Sequence, residues 1–291
     1  MHANLIAFWK QDLRKRLETG AARTGLDSPR GASWLVRWAG VCLIVGLTLY
    51  LAVGYDAGFV RINAAAAGYP AWVWQCLTVL GDERVAFALA LLFALRYPRV
   101  FWALVLAALI AAAYSRGFKA LFDTTRPPGV LAADAFNLIG PGHTRASFPS
   151  GHSVTAAVFF GVLIYYTRWT GLRALFLALA VLAGLSRVAV GVHWPVDVAA
   201  GLFGGALAAW IGALLAARWP GPATNLGVHL AVVSLAVILA VTLLFDDAGY
   251  SAAAPPLAIL GVLALGVAGI QYLLRPWLGY RRAVGAPGPT P

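Results

Sequence analysis

Ser186-Arg187-Val188-Ala189-Val190-Gly191-Val192-His193-Trp194-Pro195-Val196-Asp197 is the stretch on which the reading of this chain turns. It sets a cation, a histidine and a carboxylate between two long apolar runs, about Leu175–Val190 and Val196–Ala217. Ionisable groups among bilayer-length apolar runs are costly to bury, so each is a functional candidate. Two more polar clusters lie upstream. One is Lys119-Ala120-Leu121-Phe122-Asp123-Thr124-Thr125-Arg126-Pro127; the other is Pro149-Ser150-Gly151-His152. The rest of the chain is organised around these three islands, from Lys119 to Asp197.

Composition sets the class. Of 291 residues, 61% are hydrophobic and 11% charged, against roughly 25% charged in a soluble domain. That deficit marks a polytopic membrane protein, and no polar stretch is long enough to form a soluble domain. The net charge of +11 would suggest nucleic acid in a soluble protein. Here the arginines stand between apolar runs, where membrane orientation accounts for them, and no nucleic-acid partner is expected. Cys42 and Cys76 lie in or beside apolar runs and read as small packing residues rather than a disulfide.

Eight candidate spans follow a basic leader, residues 1–33. The leader is either a short amphipathic helix on the inner membrane surface, with Leu5, Ile6, Trp9, Leu13 and Leu17 near helical spacing, or a disordered basic segment. The spans are about Trp34–Val53, a broken second span over Tyr69–Leu80 and Val85–Leu95, Val100–Ser115, Gly151–Tyr166, Leu175–Val190, Val196–Ala217, Leu226–Phe245 and Leu257–Leu274. The fold class expected is all-α, a polytopic transmembrane helical bundle. Residues 34–217 would form a six-helix core, residues 218–278 two additional C-terminal helices, and residues 279–291 a Gly/Pro-rich disordered tail.

Charge tests this count. With the N-terminus inside and sides alternating, fifteen of the 22 basic residues fall on inner segments. Outside lie only Arg61, Arg84, Arg116, Lys119, Arg126, Arg145 and Arg187. The asymmetry follows the positive-inside rule, with both termini cytoplasmic and all three clusters on the outer side. The Ala/Arg-rich composition and short loops suggest a bacterial inner membrane, which makes that side periplasmic.

The residue types point to phosphate. Lys119, Arg126 and Arg187 have no matching set of carboxylates, and cations of that kind suit an anionic ligand. Pro149-Ser150-Gly151-His152 opens the fourth span, where free N–H groups and the helix dipole favour phosphate; Ser150 suits the N-cap and Gly151 lets a ligand approach. His193 and Asp197 are four apart at a helix start, with Pro195 in the first turn. A helical turn there lets the carboxylate hold one imidazole nitrogen and leaves the other free to attack. Metal chemistry is not expected: three cations would repel a divalent ion, and no H-E-x-x-H motif is present. A serine-hydrolase site is also excluded for want of a G-x-S-x-G elbow. A transporter or scaffold would carry polar groups in its spans too, but these cluster at one face and no internal repeat is visible.

K-x6-R-P, P-S-G-H and S-R-x5-H-x3-D occur in order and without substitution, as Lys119 to Pro127, Pro149 to His152 and Ser186 to Asp197. In this the chain resembles the type 2 phosphatidic acid phosphatase superfamily over roughly residues 81–217. The resemblance implies a cofactor-free lipid phosphatase with His193 as nucleophile, Asp197 orienting it and His152 protonating the leaving oxygen. Lys119, Arg126, Arg187 and the backbone at Ser150-Gly151 would hold the phosphoryl oxygens. The implied partner is a phosphorylated membrane lipid within the bilayer. Undecaprenyl diphosphate is the first candidate, on the family's usual activity at the outer face. Phosphatidic acid, phosphatidylglycerol phosphate and lipid A 1-phosphate remain open, as does transfer of the phosphoryl group to a lipid or sugar hydroxyl. The last two helices depart from the usual six-helix plan.

Overall fold

A computed structural model describes residues 4–25 and 28–285. Among these residues the chain is helical with connecting loops and contains no strand. In chain order the helices are α1 (Leu5–Ala22), α2 (Pro29–Ala52), α3 (Phe59–Ala66), α4 (Ala71–Thr78), α5 (Glu83–Leu91), α6 (Pro98–Phe122), α7 (Gly151–Tyr166), α8 (Thr170–Ala189), α9 (Pro195–Arg218), α10 (Gly221–Thr224), α11 (Leu226–Thr242), α12 (Ala254–Gly269) and α13 (Arg275–Gly285). Among the described residues, five segments are long and apolar enough to cross a membrane: Arg30–Ala52, Pro98–Gly129, Thr170–Ala189, Pro195–Arg218 and Ser251–Val284. Three shorter apolar ones, Ala71–Gly81, Gly151–Tyr166 and Leu226–Thr242, lie between them.

The eight apolar segments fall on the eight runs expected. The second is interrupted, as its sequence predicts. It divides into α4 and α5 at Gly81-Asp82, because Asp82 accepts from the Arg84 N–H at 2.8 Å and starts a new helix. Gly81 sits against the start of α7; a Cβ there would come within 2.6 Å of the His152 carbonyl oxygen.

The centre of the bundle is α9, packed against α7, α6 and α2. Its sequence explains why. Gly201 and Gly205, four residues apart, face α7, and Gly212 faces α6. A Cβ on Gly201 would meet the Ser150 carbonyl oxygen at 2.7 Å, and one on Gly205 the Val154 carbonyl oxygen at 2.5 Å. Small residues at this spacing let helix backbones approach closely where lipid gives no hydrophobic drive. The approach joins the helix starts: the Ser150 N–H donates to the Asp197 carbonyl oxygen at 3.1 Å. Two of the three polar clusters are thereby held by one backbone bond.

At the opposite end the termini meet. In α1, Leu13 and Leu17 are fully buried. Trp9 Nε1 and Arg16 Nη1 donate to the carbonyl oxygens of Tyr272 and Gln271, each at 2.6 Å. Both acceptors lie in a π-helical turn, Ile270–Leu274, between α12 and α13. The leader is thus helical and packed on protein, which a disordered segment would not be. The tail also needs correction: the chain expected to be disordered from Gly279 is helical through Gly285. The Tyr280 ring meets Phe8 edge-on at 5.8 Å, and Gly279 lies against the same ring. Residues 286–291 lie outside the described residues.

Because the α7–α9 seam is set by backbone contact, Gly205→Val should force the helices apart. A loss of about 1–3 kcal/mol is expected from overpacking. It would be read as a lower unfolding temperature in detergent than for Gly266→Val, whose added Cβ would meet nothing within 4 Å.

Candidate functional site

The site lies at the start of α7 and α9 and the end of α6, away from the termini. Arg187 is in the last turn of α8, and Gly191 follows two residues after its end. That glycine has φ +86°, and a Cβ on it would come 2.7 Å from the Asn137 carbonyl oxygen. Asn63, buried from α3, donates to the Val188, Ala189 and Asn137 carbonyl oxygens at 3.0, 3.1 and 2.9 Å. It closes the helix end, and the chain turns back towards α9 at His193. Pro195 takes the first position of α9, where its missing N–H costs nothing. Asp197 in the first turn then accepts from the Trp194 N–H at 3.0 Å.

Asp197 is fully buried and accepts from four groups. Its Oδ2 receives Trp194 N–H, Ser147 Oγ–H at 2.5 Å and His193 Nδ1 at 3.2 Å; its Oδ1 receives a short bond from the Tyr55 hydroxyl. Such a donor set suits the ionised carboxylate. It also assigns the His193 tautomer, with the proton on Nδ1 and the lone pair on Nε2. Burial, then the Arg126, Arg187 and Lys119 charges, push the His193 pKa well below the ordinary histidine value. The ring is therefore neutral, with Nε2 free to act as a nucleophile.

The three expected cations converge. Arg126 donates from Nε to the Arg145 carbonyl oxygen at 2.8 Å and from Nη2 to that of Ala146 at 3.4 Å. Its own N–H goes to Thr144 O at 2.9 Å. Trp194 Nε1 donates to Thr125 O at 2.9 Å, which ties the first cluster to the third. Arg187 is buried; its Nη1 donates to Thr78 Oγ1 and to the Tyr250 hydroxyl, and its Nε has no protein partner. Half-buried Lys119 completes the group, close enough to interact electrostatically with Arg126, Arg187 and Asp197. Among the described residues no ion pair neutralises any of the three, a disposition that calls for an anion.

The second cluster behaves differently from expectation at one atom. The Ser150 N–H is spent on Asp197 and its Oγ caps α7 by accepting from the Ser153 N–H at 3.3 Å. Ser150 therefore builds the site and has no free amide for a ligand. Gly151 keeps the role of an open helix start: nothing lies within 4 Å of where its Cβ would be. His152 is half-buried and lines a cavity of about 470 Å³ between α5, α6 and α7. Arg84, Arg116 and His152 stand at one end of this cavity, and Ala90, Phe101 and Phe159 at the other. A second groove, about 580 Å³ and mostly apolar, runs between α2, α6 and α9 and touches Tyr55, Thr124 and Phe148. His143 and Arg145 lie in the loop; burial, then Arg126, Arg187 and Lys119, lower the His143 pKa.

Tyr55, Thr78, Ser147 and Tyr250 were not legible in the sequence. All four are neutral hydroxyl residues outside the charged motifs, brought in by loops or by α4. Only proximity to buried charges singles them out.

The segment that holds these clusters is similar to known proteins. Residues 100–220 match the model of the PAP2 superfamily. A lipid A 1-phosphatase of Rhizobium johnstonii is 43% identical over 79 residues, covering 26% of this chain and 31% of that protein. An undecaprenyl-diphosphatase of Sulfolobus acidocaldarius is 42% identical over 77 residues, covering 25% of this chain and 34% of that protein. Each alignment thus spans about a third of the relative's length. The crystal structure of Aquifex aeolicus LpxE is 28% identical with a TM-score of 0.47, over 55% of this chain and 92% of that one. All three polar clusters lie inside residues 100–220, the segment that matches the PAP2 superfamily model.

Proposed function

We propose that the protein is an integral-membrane lipid phosphatase working through a phosphohistidine. The observation that carries this is the His193–Asp197 pair. A neutral imidazole is held by Nδ1, its Nε2 is free, and three unpaired cations surround it. His193 Nε2 attacks the terminal phosphorus, and the bond from that phosphorus to the leaving oxygen (the bridging oxygen in a diphosphate) breaks. His152 gives that oxygen its proton. Water then attacks the phosphohistidine, His152 takes the water proton, and the P–N bond breaks to release phosphate. Lys119, Arg126 and Arg187, with the helix start at Gly151, hold the phosphoryl oxygens as charge moves between them. Phosphoryl transfer needs mainly positioning and charge stabilisation. Fixed cations supply both without a metal, and the Asp197 oxygens are already filled by donors.

The substrate is a lipid phosphate. The cavity beside His152 runs from charged to apolar lining, as a headgroup and chain require, and on this reading it receives the leaving lipid. Undecaprenyl diphosphate, hydrolysed to undecaprenyl phosphate, is the first candidate; lipid A 1-phosphate is the other substrate class that relatives' names supply. The proposed topology puts the site on the periplasmic face of a bacterial inner membrane with both termini cytoplasmic. The packing of α1 on α13, far from the polar clusters, supports it.

Purified protein should release phosphate from a panel of undecaprenyl diphosphate, lipid A 1-phosphate and phosphatidic acid, at the same rate with and without EDTA. His193→Ala should lower that rate by at least about a thousandfold while the protein still inserts and folds. Full activity in the variant would remove His193 as nucleophile, and loss of activity in EDTA would remove the metal-free reading.

The pH profile tests the electrostatics. Nucleophilic attack needs neutral His193, and its lowered pKa keeps it neutral through the ordinary histidine range. The acid limb of kcat/KM assigned to this group should therefore lie below about 6.5. Lys119→Met removes one of the cations that lower the pKa, so the limb should move towards higher pH.

A further inference from the structure

The C-terminal helices reach the phosphate site through one side chain. Tyr250 lies in the turn between α11 and α12, beyond the segment 100–220 that matches the PAP2 family. Its hydroxyl accepts from Arg187 Nη1 at 3.0 Å, and Thr78 Oγ1 accepts from the same nitrogen. Tyr250 and Thr78 are both buried, so neither bond is exchanged easily for water. The guanidinium is planar, and holding Nη1 between two fixed oxygens sets the plane and the direction of its Nε edge. That edge carries the buried N–H without a protein partner. One side of Arg187 is therefore anchored, and the other is left for an oxyanion.

The turn that carries Tyr250 is itself held by three elements. Asp246 pairs with Arg84 of α5 at 2.9 Å. The Ala252 N–H donates to Gln75 Oε1 of α4 at 2.9 Å. The Tyr250 ring lies on Gly140 of the α6–α7 loop, where a Cβ would come 2.6 Å from the ring, and Gly249 lies on Pro141. A hairpin that served only to fill lipid would need none of these polar ties.

We propose that Tyr250 is a positioning residue for Arg187, and that α11 and α12 are for this reason a working part of the phosphate site. The proposal rests on the phosphate-site reading given above. It is tested in the full-length protein with Tyr250→Phe, Thr78→Val and Arg187→Lys, and with Tyr250→Phe in the Arg187→Lys background. Three quantities are measured: kcat and KM for phosphate release from phosphatidic acid and undecaprenyl diphosphate, Kd for inorganic phosphate by calorimetry, and the unfolding temperature.

Tyr250→Phe keeps the ring and removes the acceptor. It should lower kcat/KM about tenfold and weaken phosphate binding in parallel, at an unfolding temperature close to wild type. Thr78→Val should act in the same direction through the other acceptor, which keeps the test available if one variant fails to fold. In the Arg187→Lys background, Tyr250→Phe should cost nothing further, because the fork it orients is gone. Unchanged kcat/KM and phosphate affinity in Tyr250→Phe would overturn the proposal. So would the same tenfold loss in the Arg187→Lys background, or a lowered unfolding temperature with normal phosphate affinity. A wild-type protein that neither binds inorganic phosphate nor releases it from either lipid would instead overturn the underlying site and the proposal with it.

Discussion

A single buried carboxylate holds the site together. Asp197 has no contact with solvent and accepts from Trp194, Ser147, His193 and Tyr55. The donors come from the α8–α9 connection, the loop before α7 and the loop after α2, and the carboxylate itself from the first turn of α9. A buried charge without such partners would be expensive, and losing one partner typically costs about 1–3 kcal/mol. The carboxylate therefore fixes the relative positions of four chain segments while it fixes one imidazole tautomer. Folding and the proposed chemistry draw on the same bonds.

The carboxylate could not sit there without the seam beneath it. Gly201 and Gly205 remove the Cβ atoms that would keep α9 off α7, and the resulting backbone contact delivers the Ser150 N–H to the Asp197 carbonyl oxygen. Helix packing in the span is thereby translated into register at the membrane end. The same contact leaves Ser150 without a free amide, while nothing lies within 4 Å of where a Cβ on Gly151 would be. Packing thus decided which of two adjacent residues can meet an anion.

Electrostatics then runs in one direction. Three cations with no ion pair among the described residues raise the free energy of the empty site and of an imidazolium within it. A phosphoryl group bound there, as proposed, would relieve that repulsion. Burial adds to it by disfavouring charge on His193, so the ring is kept neutral. The charges that would hold a phosphoryl group are the same ones that keep the His193 ring unprotonated.

Much of this was legible from the chain alone. The scarcity of charge, the apolar runs and the helix starts at Ser150 and Pro195 are local properties, and they determine an all-α membrane bundle and the placement of His193, Asp197, His152, Lys119, Arg126 and Arg187. Charged residues in an apolar sequence announce themselves because their cost is local. Tyr55, Thr78, Ser147 and Tyr250 do not, because a neutral hydroxyl is tolerable almost anywhere and acquires its role only from what it faces. The division of the second span at Gly81-Asp82 was legible too, as a polar interruption of the apolar run, whereas the helix over Gly279–Gly285 was settled by a neighbour, Phe8. The sequence by itself determined which charged groups must be accommodated. Only the tertiary structure decided which neutral groups accommodate them, since a hydrogen-bond partner is selected by distance in space and not by spacing along the chain.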